Sequence, residues 1–212
     1  MNRHWLGGIA AIALLVLIGV AGRLMPHPPN FGPIAAIAMF AGFYFRCRSC
    51  AVAVPLLAML IADLFIGFYE LPTMVAVYAS LAIPVCCRPL LAGRYIALRI
   101  GACAAICSLM FFAVTNLAVW RFGGLYEPSP GGLVTCYAAA LPFLKYTLAG
   151  DVVWCTALFG SYGLAKWVTS PRTAEAARRD RDTGAWPGQE PGLTIFVPQS
   201  CKPISCVSGM GG

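Results

Sequence analysis

The chain has 212 residues, of which 59% are hydrophobic and 11% are charged, and its mean hydropathy is +0.76. Soluble domains carry about 25% charged residues, so this composition excludes an ordinary soluble fold. Apolar runs of roughly 20 residues recur, and a helix of that length crosses the ~30 Å hydrocarbon layer. The short-period alternation of membrane strands is not seen. We therefore predict an all-α integral membrane protein.

Six apolar segments are predicted to span the membrane. In chain order they are residues 5–24, 33–45, 51–68, 73–87, 96–120 and 149–168. The second and fourth are short, but a short helix can cross where the bilayer thins or flanking side chains reach outward. The first could alternatively be a signal peptide that ends at GVAG, but its apolar core is long for a signal, which favours an uncleaved helix.

Two further segments are predicted to lie outside the spans. Residues 133–144 are too few to cross and contain Pro142, so we predict an interfacial helix or a re-entrant segment before the last span. From about Thr169 the chain becomes polar and then rich in Gly, Pro and Ser, which is typical of disorder. The predicted domains are thus a six-helix transmembrane domain at 1–168 and a cytoplasmic polar tail at 169–212.

The basic residues predict the orientation. With the N-terminus inside, twelve of the 15 lysines and arginines are cytoplasmic, and only Arg23, Arg121 and Lys145 lie outside. Both termini are therefore predicted to be cytoplasmic. The net charge of +7 is then an orientation signal, and the tail could also contact anionic lipid. No basic surface with interleaved aromatic residues is seen, so no nucleic-acid partner is expected.

The few polar side chains in or beside the spans indicate where a site could be. A charge at the centre of a bilayer costs ~2.5–3.5 kcal/mol on insertion scales, so such a group usually has a partner or a task. Asp63 and Asn116 lie in the outer parts of spans three and five, and Asp151 opens span six. Asn30 and Lys145 precede spans two and six on the same side. We predict that these groups converge near the extracellular face.

Each of these residues also has a purely structural interpretation. Asp63 could cap a helix or pair with Lys145 to hold the bundle, and Asp151 could be the N-cap of span six. Asn116 could hydrogen-bond a neighbouring helix. The proline-rich approach through Asn30 could be a stiff turn; in the functional interpretation, the free N–H groups of the short second helix face a cavity. Boundary aromatics could form an interfacial belt.

Four sequence blocks resemble a known family. They are NFGPIAAIAMFAGFYF at 30–45, PLLAMLIADLFIGF at 55–68, FFAVTNLAVW at 111–120 and GLVTCYAAALPFLKYTLAGD at 132–151. Together they resemble a family of uncharacterised bacterial integral membrane proteins, which is regarded as similar to the S components of energy-coupling-factor (ECF) transporters. The resemblance covers roughly residues 24–165. Gly32 and Ala62 stand where Thr and Ser would be expected, which removes two hydroxyl groups.

This resemblance implies a multi-pass protein of the bacterial cytoplasmic (inner) membrane that binds a vitamin-like small molecule near its outer face. It also implies partners, namely a transmembrane coupling subunit driven by two ATPases. Small residues that could form the docking face are Gly7, Ala11, Gly19, Ala157, Ser161 and Ala165. The predicted substrate-binding residues are Asn30, Phe31, Asp63, Asn116, Trp120, Tyr137, Phe143, Lys145 and Asp151.

Ten cysteines make thiol chemistry an alternative. Cys47 and Cys50 form a CxxC that is predicted to share the cytoplasmic side with Cys86 and Cys87, and four thiols could bind zinc or cycle through disulfides. The reducing cytosol, the short loop and the lack of a nearby histidine argue against this. No metal or cofactor is therefore predicted. Packing roles are expected for Cys103, Cys107, Cys136 and Cys155.

No enzymatic activity is predicted, because the sequence lacks HExxH, GxSxG and Walker A motifs. Without an ATP-binding element, concentrative uptake must take its energy from a partner or from an ion gradient. The main alternative to a substrate-capture subunit is therefore a small carrier coupled to protons through Asp63 and Asp151. A structural membrane protein is the remaining possibility.

Overall fold

The computed structural model describes residues 3–91 and 96–182, and these form helices without any strand. The all-helical prediction is thus confirmed for this part of the chain. The elements are α1 (Arg3–Leu24), α2 (Ile34–Tyr44), α3 (Arg48–Ile66), α4 (Leu71–Ala82), a 3-10 segment (Pro84–Leu90), α5 (Ile96–Phe122) and α6 (Pro130–Asp182). Prolines at both ends of the 3-10 segment lack the N–H that a longer α-helix would need there.

Five helical segments are long and apolar enough to cross a membrane, which indicates a multi-pass membrane protein. They are Leu6–Leu24, Arg48–Ile66, Leu71–Leu90, Ile96–Phe122 and Pro130–Ser170. Their outer faces carry large apolar side chains, among them Leu17, Phe65 and Leu98, which are 65%, 73% and 74% exposed. Extended apolar surfaces are rare on soluble monomers, whereas lipid solvates them.

α2, which corresponds to the predicted span at 33–45, is central and too short to cross a bilayer by itself. Its 11 residues extend about 16 Å, roughly half of the hydrocarbon layer. Eight of them are buried, and α3, the 3-10 segment and α6 surround the helix. A Cβ at Gly42 would lie 2.4 Å from the Val85 carbonyl oxygen, so only glycine permits this approach. Because protein encloses α2, its ends need not reach the membrane surfaces.

The turn before α2 is packed against the end of α1. Asn30 has a φ of 63°, in the left-handed region that asparagine tolerates better than most residues. The Phe31 N–H donates to the Pro28 carbonyl at 3.1 Å and closes the turn. A Cβ at Gly22 would lie 2.6 Å from the Pro33 ring, so this ring rests directly on α1. Asn30 therefore shapes the turn, and no side chain caps α2.

The structure of α6 differs from the prediction for the last part of the chain. Residues 133–144 do not form a separate interfacial or re-entrant helix, because they are the first part of the continuous α6. A proline inside a membrane helix removes one backbone hydrogen bond, which neighbouring groups can compensate, so Pro142 does not end it. The predicted domain boundary at 168/169 falls within α6. The rest of the predicted tail, 183–212, lies outside the described residues.

Candidate functional site

Asp63, in the last turn of α3, is fully buried and has two partners. Arg23, at the end of α1, donates from Nη2 to Oδ1 at 2.8 Å, and the Tyr78 hydroxyl of α4 donates to Oδ2 at 2.8 Å. A carboxylate buried without such partners would be strongly destabilising. Asp63 thus joins α3 to α1 through Arg23 and to α4 through Tyr78, and the pairing with Lys145 that we considered from the sequence is not the one found.

A cavity of about 230 Å³ lies beside this ion pair, and each of the six helices contributes to its wall. It extends from the turn at Asn30 and from Tyr69, where α3 leads into α4, to Ser108 near the middle of α5. Much of the wall is apolar, as is common for small-molecule sites. The side chains with charged or polar groups on the wall are Arg23, Asn30, Tyr69, Ser80, Ser108, Thr147 and Asp151.

Asp151 is the buried carboxylate of this wall, with 4% of its surface exposed. The Ser108 hydroxyl lies at hydrogen-bonding distance from its Oδ2. Asp151 is in the interior of α6, so the alternative that it is an N-cap is wrong. It lies beside the middle of α5 and not at a helix end, where the sequence analysis placed it. The continuous α6 explains the difference, because the last span begins well before Asp151.

Asp151 differs from Asp63 in having no cationic partner. Among the residues that the structure describes, no lysine, arginine or histidine forms an ion pair with it. Arg23 reaches the same cavity but is bound to Asp63, and its Nε is buried without a hydrogen-bond partner. With all three groups ionised, the cavity and its surroundings carry one uncompensated negative charge.

Tyr69 lies outside the apolar spans, at the edge of the cavity. Burial raises the pKa of its hydroxyl above the ordinary value, the Asp63 carboxylate raises this pKa further, and Arg23 opposes the shift. The phenol therefore stays protonated at neutral pH and can donate or accept a hydrogen bond at the cavity.

Four of the nine predicted site residues are brought together. Asn30 and Asp151 lie on the cavity wall, and Asp63 lies behind it through its bond to Arg23. Phe31 packs against α6 next to Asp151, since a Cβ at Gly150 would lie 3.1 Å from the Phe31 Cα. The first turn and the middle of α6 are thus in direct contact.

Asn116 and Trp120 lie away from the cavity and have other partners. The Asn116 amide donates to the Phe112 carbonyl of its own helix at 2.8 Å, rather than to another helix. The Trp120 Nε1 donates to the Glu127 carbonyl at 3.0 Å, which ties the end of α5 to the following loop. Neither side chain is brought to Asp151.

Tyr137, Phe143 and Lys145 are also outside the cavity wall. The Tyr137 hydroxyl donates to the Ala113 carbonyl and so joins α6 to α5. Phe143 is 41% exposed. Lys145 is exposed, with its Nζ 4.9 Å from the centroid of the Tyr146 ring.

Several wall residues were missed in the sequence analysis. Arg23 was used only in the count of charges on the outer side, although a charged residue at the end of an apolar span is a candidate for a buried ion pair. Ser108 gave a weaker signal, because hydroxyl side chains within spans often bond to their own backbone. The thiols of Cys87 and Cys107 lie 3.6 Å apart, which sequence spacing does not reveal. Among the side chains of residues 6–91 and 96–170, no group of three or more His, Cys, Asp or Glu could hold a metal.

Comparison with known proteins gives a family but no activity. No curated protein and no solved structure matches the chain. A family model matches residues 6–174, which include the whole cavity wall and about four fifths of the sequence. The chain therefore belongs to a family of unknown function, DUF6580.

Proposed function

We propose that this protein is a membrane transport protein that captures a small molecule in the cavity beside Asp151. The observation that carries this proposal is a 230 Å³ cavity with a wall from all six helices and a buried carboxylate that has no cationic partner among the described side chains. A carboxylate that only held the bundle would be matched, as Asp63 is matched by Arg23. A buried carboxylate without a counter-charge beside an open cavity is typical of a ligand-binding site.

The proposed setting is the bacterial cytoplasmic (inner) membrane, with six crossings and both termini in the cytoplasm. The distribution of arginines and lysines supports this orientation. α3 begins at Arg48, four residues after α2 ends, so a chain that leaves the cell through α1 returns through α2 and its extended approach. The turn at Asn30 then lies on the extracellular side and forms the entrance.

The energy for uptake would come from other subunits. No ATP-binding motif is present in the sequence, and the four-block resemblance to S-component-like proteins supports a coupling subunit with ATPases as partners. A proton-coupled carrier is the second candidate, because the Asp151–Ser108 pair beside a cavity would also suit proton exchange. Uptake by the protein reconstituted without partners, and loss of this uptake when a protonophore collapses the proton gradient, would favour the carrier.

Native mass spectrometry of the full chain, released from mild detergent, tests capture. We expect a retained small molecule in the wild type and its loss in Ala35→Leu, which fills the cavity from the start of α2. Asn116→Ala is the matched control, because this side chain bonds to its own helix away from the cavity. A folded wild type that carries no molecule from membranes of the native host would refute the proposal.

A further inference from the structure

We infer that the cavity takes a small organic monocation, a protonated amine or a cationic nitrogen heterocycle, with its charged nitrogen beside Asp151. This inference rests on the proposed capture function and specifies the class of ligand. Two independent features of the wall lead to it, its charge and its supply of hydrogen-bond acceptors.

The charge of the wall favours a cation. Arg23 and Asp63 neutralise each other at 2.8 Å, which leaves Asp151 as the uncompensated group. This carboxylate is 4% exposed, so solvent screens it weakly and a counter-charge in the cavity interacts with it more strongly than in water. An anionic ligand would be repelled by Asp151, and the charge of Arg23 is already neutralised by Asp63.

Two hydroxyl groups of the wall can act only as acceptors. The Ser80 hydroxyl donates to the Ala76 carbonyl at 2.7 Å, and the Thr147 hydroxyl donates to the Phe143 carbonyl at 3.1 Å. Each hydroxyl has one proton, so both oxygens can offer only lone pairs to a ligand. An ammonium group has three donors and no acceptor, which complements such a wall.

Asp151 itself has an oxygen available. Ser108 is hydrogen-bonded at Oδ2, and among the side chains described, those of residues 6–91 and 96–170, none donates to Oδ1. An N–H of the ligand can therefore reach this oxygen without displacing a protein group. The Phe111 ring is also part of the wall and can contact an aromatic or cationic ligand.

The size and ligand supply of the site suit an organic ligand better than a calcium or magnesium ion. Calcium and magnesium take six or more oxygen ligands, and among the residues described no cluster of acidic, cysteine or histidine side chains could hold a metal. An engineered apolar cavity of ~150 Å³ holds benzene, so 230 Å³ suits a substituted ring or two fused rings.

The test uses the full chain in detergent and three probes that share an indole ring. Tryptamine carries an ammonium group, tryptophol a neutral hydroxyl and indole-3-acetate a carboxylate. We expect tryptamine to bind about tenfold more tightly than tryptophol by calorimetric titration, and no binding of indole-3-acetate. In Asp151→Asn the preference should disappear, whereas Glu127→Gln, which removes an exposed carboxylate outside the cavity wall, should keep it.

Equal or tighter binding of tryptophol or indole-3-acetate would overturn the inference but leave the capture function standing. An unchanged preference in a folded Asp151→Asn variant would also overturn it. If none of the probes binds the wild type, the monocation inference fails, and the retained molecule sought by mass spectrometry decides the capture function separately. The wild-type ranking is sufficient if Asp151→Asn does not fold.

Discussion

The buried ion pair between Arg23 and Asp63 should be a major contributor to the stability of the bundle. Replacement of Arg23 by Met leaves the Asp63 carboxylate, which has no exposed surface, with Tyr78 as its remaining partner. Breaking a buried pair by removing one partner costs about 3–5 kcal/mol. Because the Arg23 side chain is 28% exposed, we expect a loss near the lower end, about 3 kcal/mol.

The same pair should show strong coupling in a double-mutant cycle. Asp63→Leu alone should cost about 2 kcal/mol, since the freed Arg23 can still reach water. The double variant Arg23→Met/Asp63→Leu should lose only about 1–2 kcal/mol, because apolar residues can replace a buried pair and only the Tyr78 hydroxyl then lacks its acceptor. The coupling energy is therefore about 3–4 kcal/mol in favour of the pair.

Equilibrium unfolding in mixed detergent micelles, followed by helical content, measures these differences in the free energy of unfolding. Arg121→Met is the control, because Arg121 is an exposed residue at the end of α5 whose guanidinium lies over the Phe122 ring. We expect this control to change stability by less than about 0.5 kcal/mol. Additive effects of Arg23→Met and Asp63→Leu would refute the reasoning.

Two further predictions test the packing. Gly42→Ala should destabilise the bundle by at least about 1 kcal/mol, because the new Cβ would lie 2.4 Å from the Val85 carbonyl oxygen. Gly160→Ala, whose Cβ would meet no atom within 4 Å beyond its chain neighbours and its own helix backbone, should be neutral or stabilising in the same unfolding assay. The thiols of Cys87 and Cys107, 3.6 Å apart, should form a disulfide when diamide accepts their two electrons and two protons. Mass spectrometry of digested protein would show the linked peptides, and Cys87→Ser should prevent the link; unlinked thiols in the wild type would contradict the geometry.

The elements that the sequence predicted well are bounded by sharp changes in composition. The predicted span at 33–45 became α2 (Ile34–Tyr44), because prolines precede its apolar run and arginines follow it. Likewise the predicted span at 96–120 became α5 (Ile96–Phe122). In both cases local chain chemistry is sufficient to set the ends of the helix.

The site was harder to predict because it depends on depth and on contacts between distant segments. Pro142 suggested a break, yet a proline within a packed membrane helix is tolerated. That one assumption placed Asp151 at a helix end, where capping would explain it, rather than beside Ser108. The neighbours Arg23 and Asp63 are 40 residues apart, so only the packing of α1 on α3 shows that they pair.

The two buried aspartates allow a last prediction, in which one substitution raises the stability of the protein and abolishes ligand binding. Asp151→Leu removes an unmatched buried carboxylate, and the Ser108 hydroxyl can then donate to the Ala104 carbonyl, which lies 2.9 Å away. No polar group is left unsatisfied, so we expect the free energy of unfolding to rise by about 1 kcal/mol while ligand binding is lost.

Asp63→Leu, in contrast, should lower stability, because Arg23 and Tyr78 lose their common partner. Both variants introduce the same side chain into an apolar helix, so the comparison isolates what surrounds each carboxylate. A marked loss of stability in Asp151→Leu would mean that this carboxylate holds α5 and α6 together. The carboxylate would then have a structural role in the bundle, and its burial beside the cavity would no longer be an argument for a binding site.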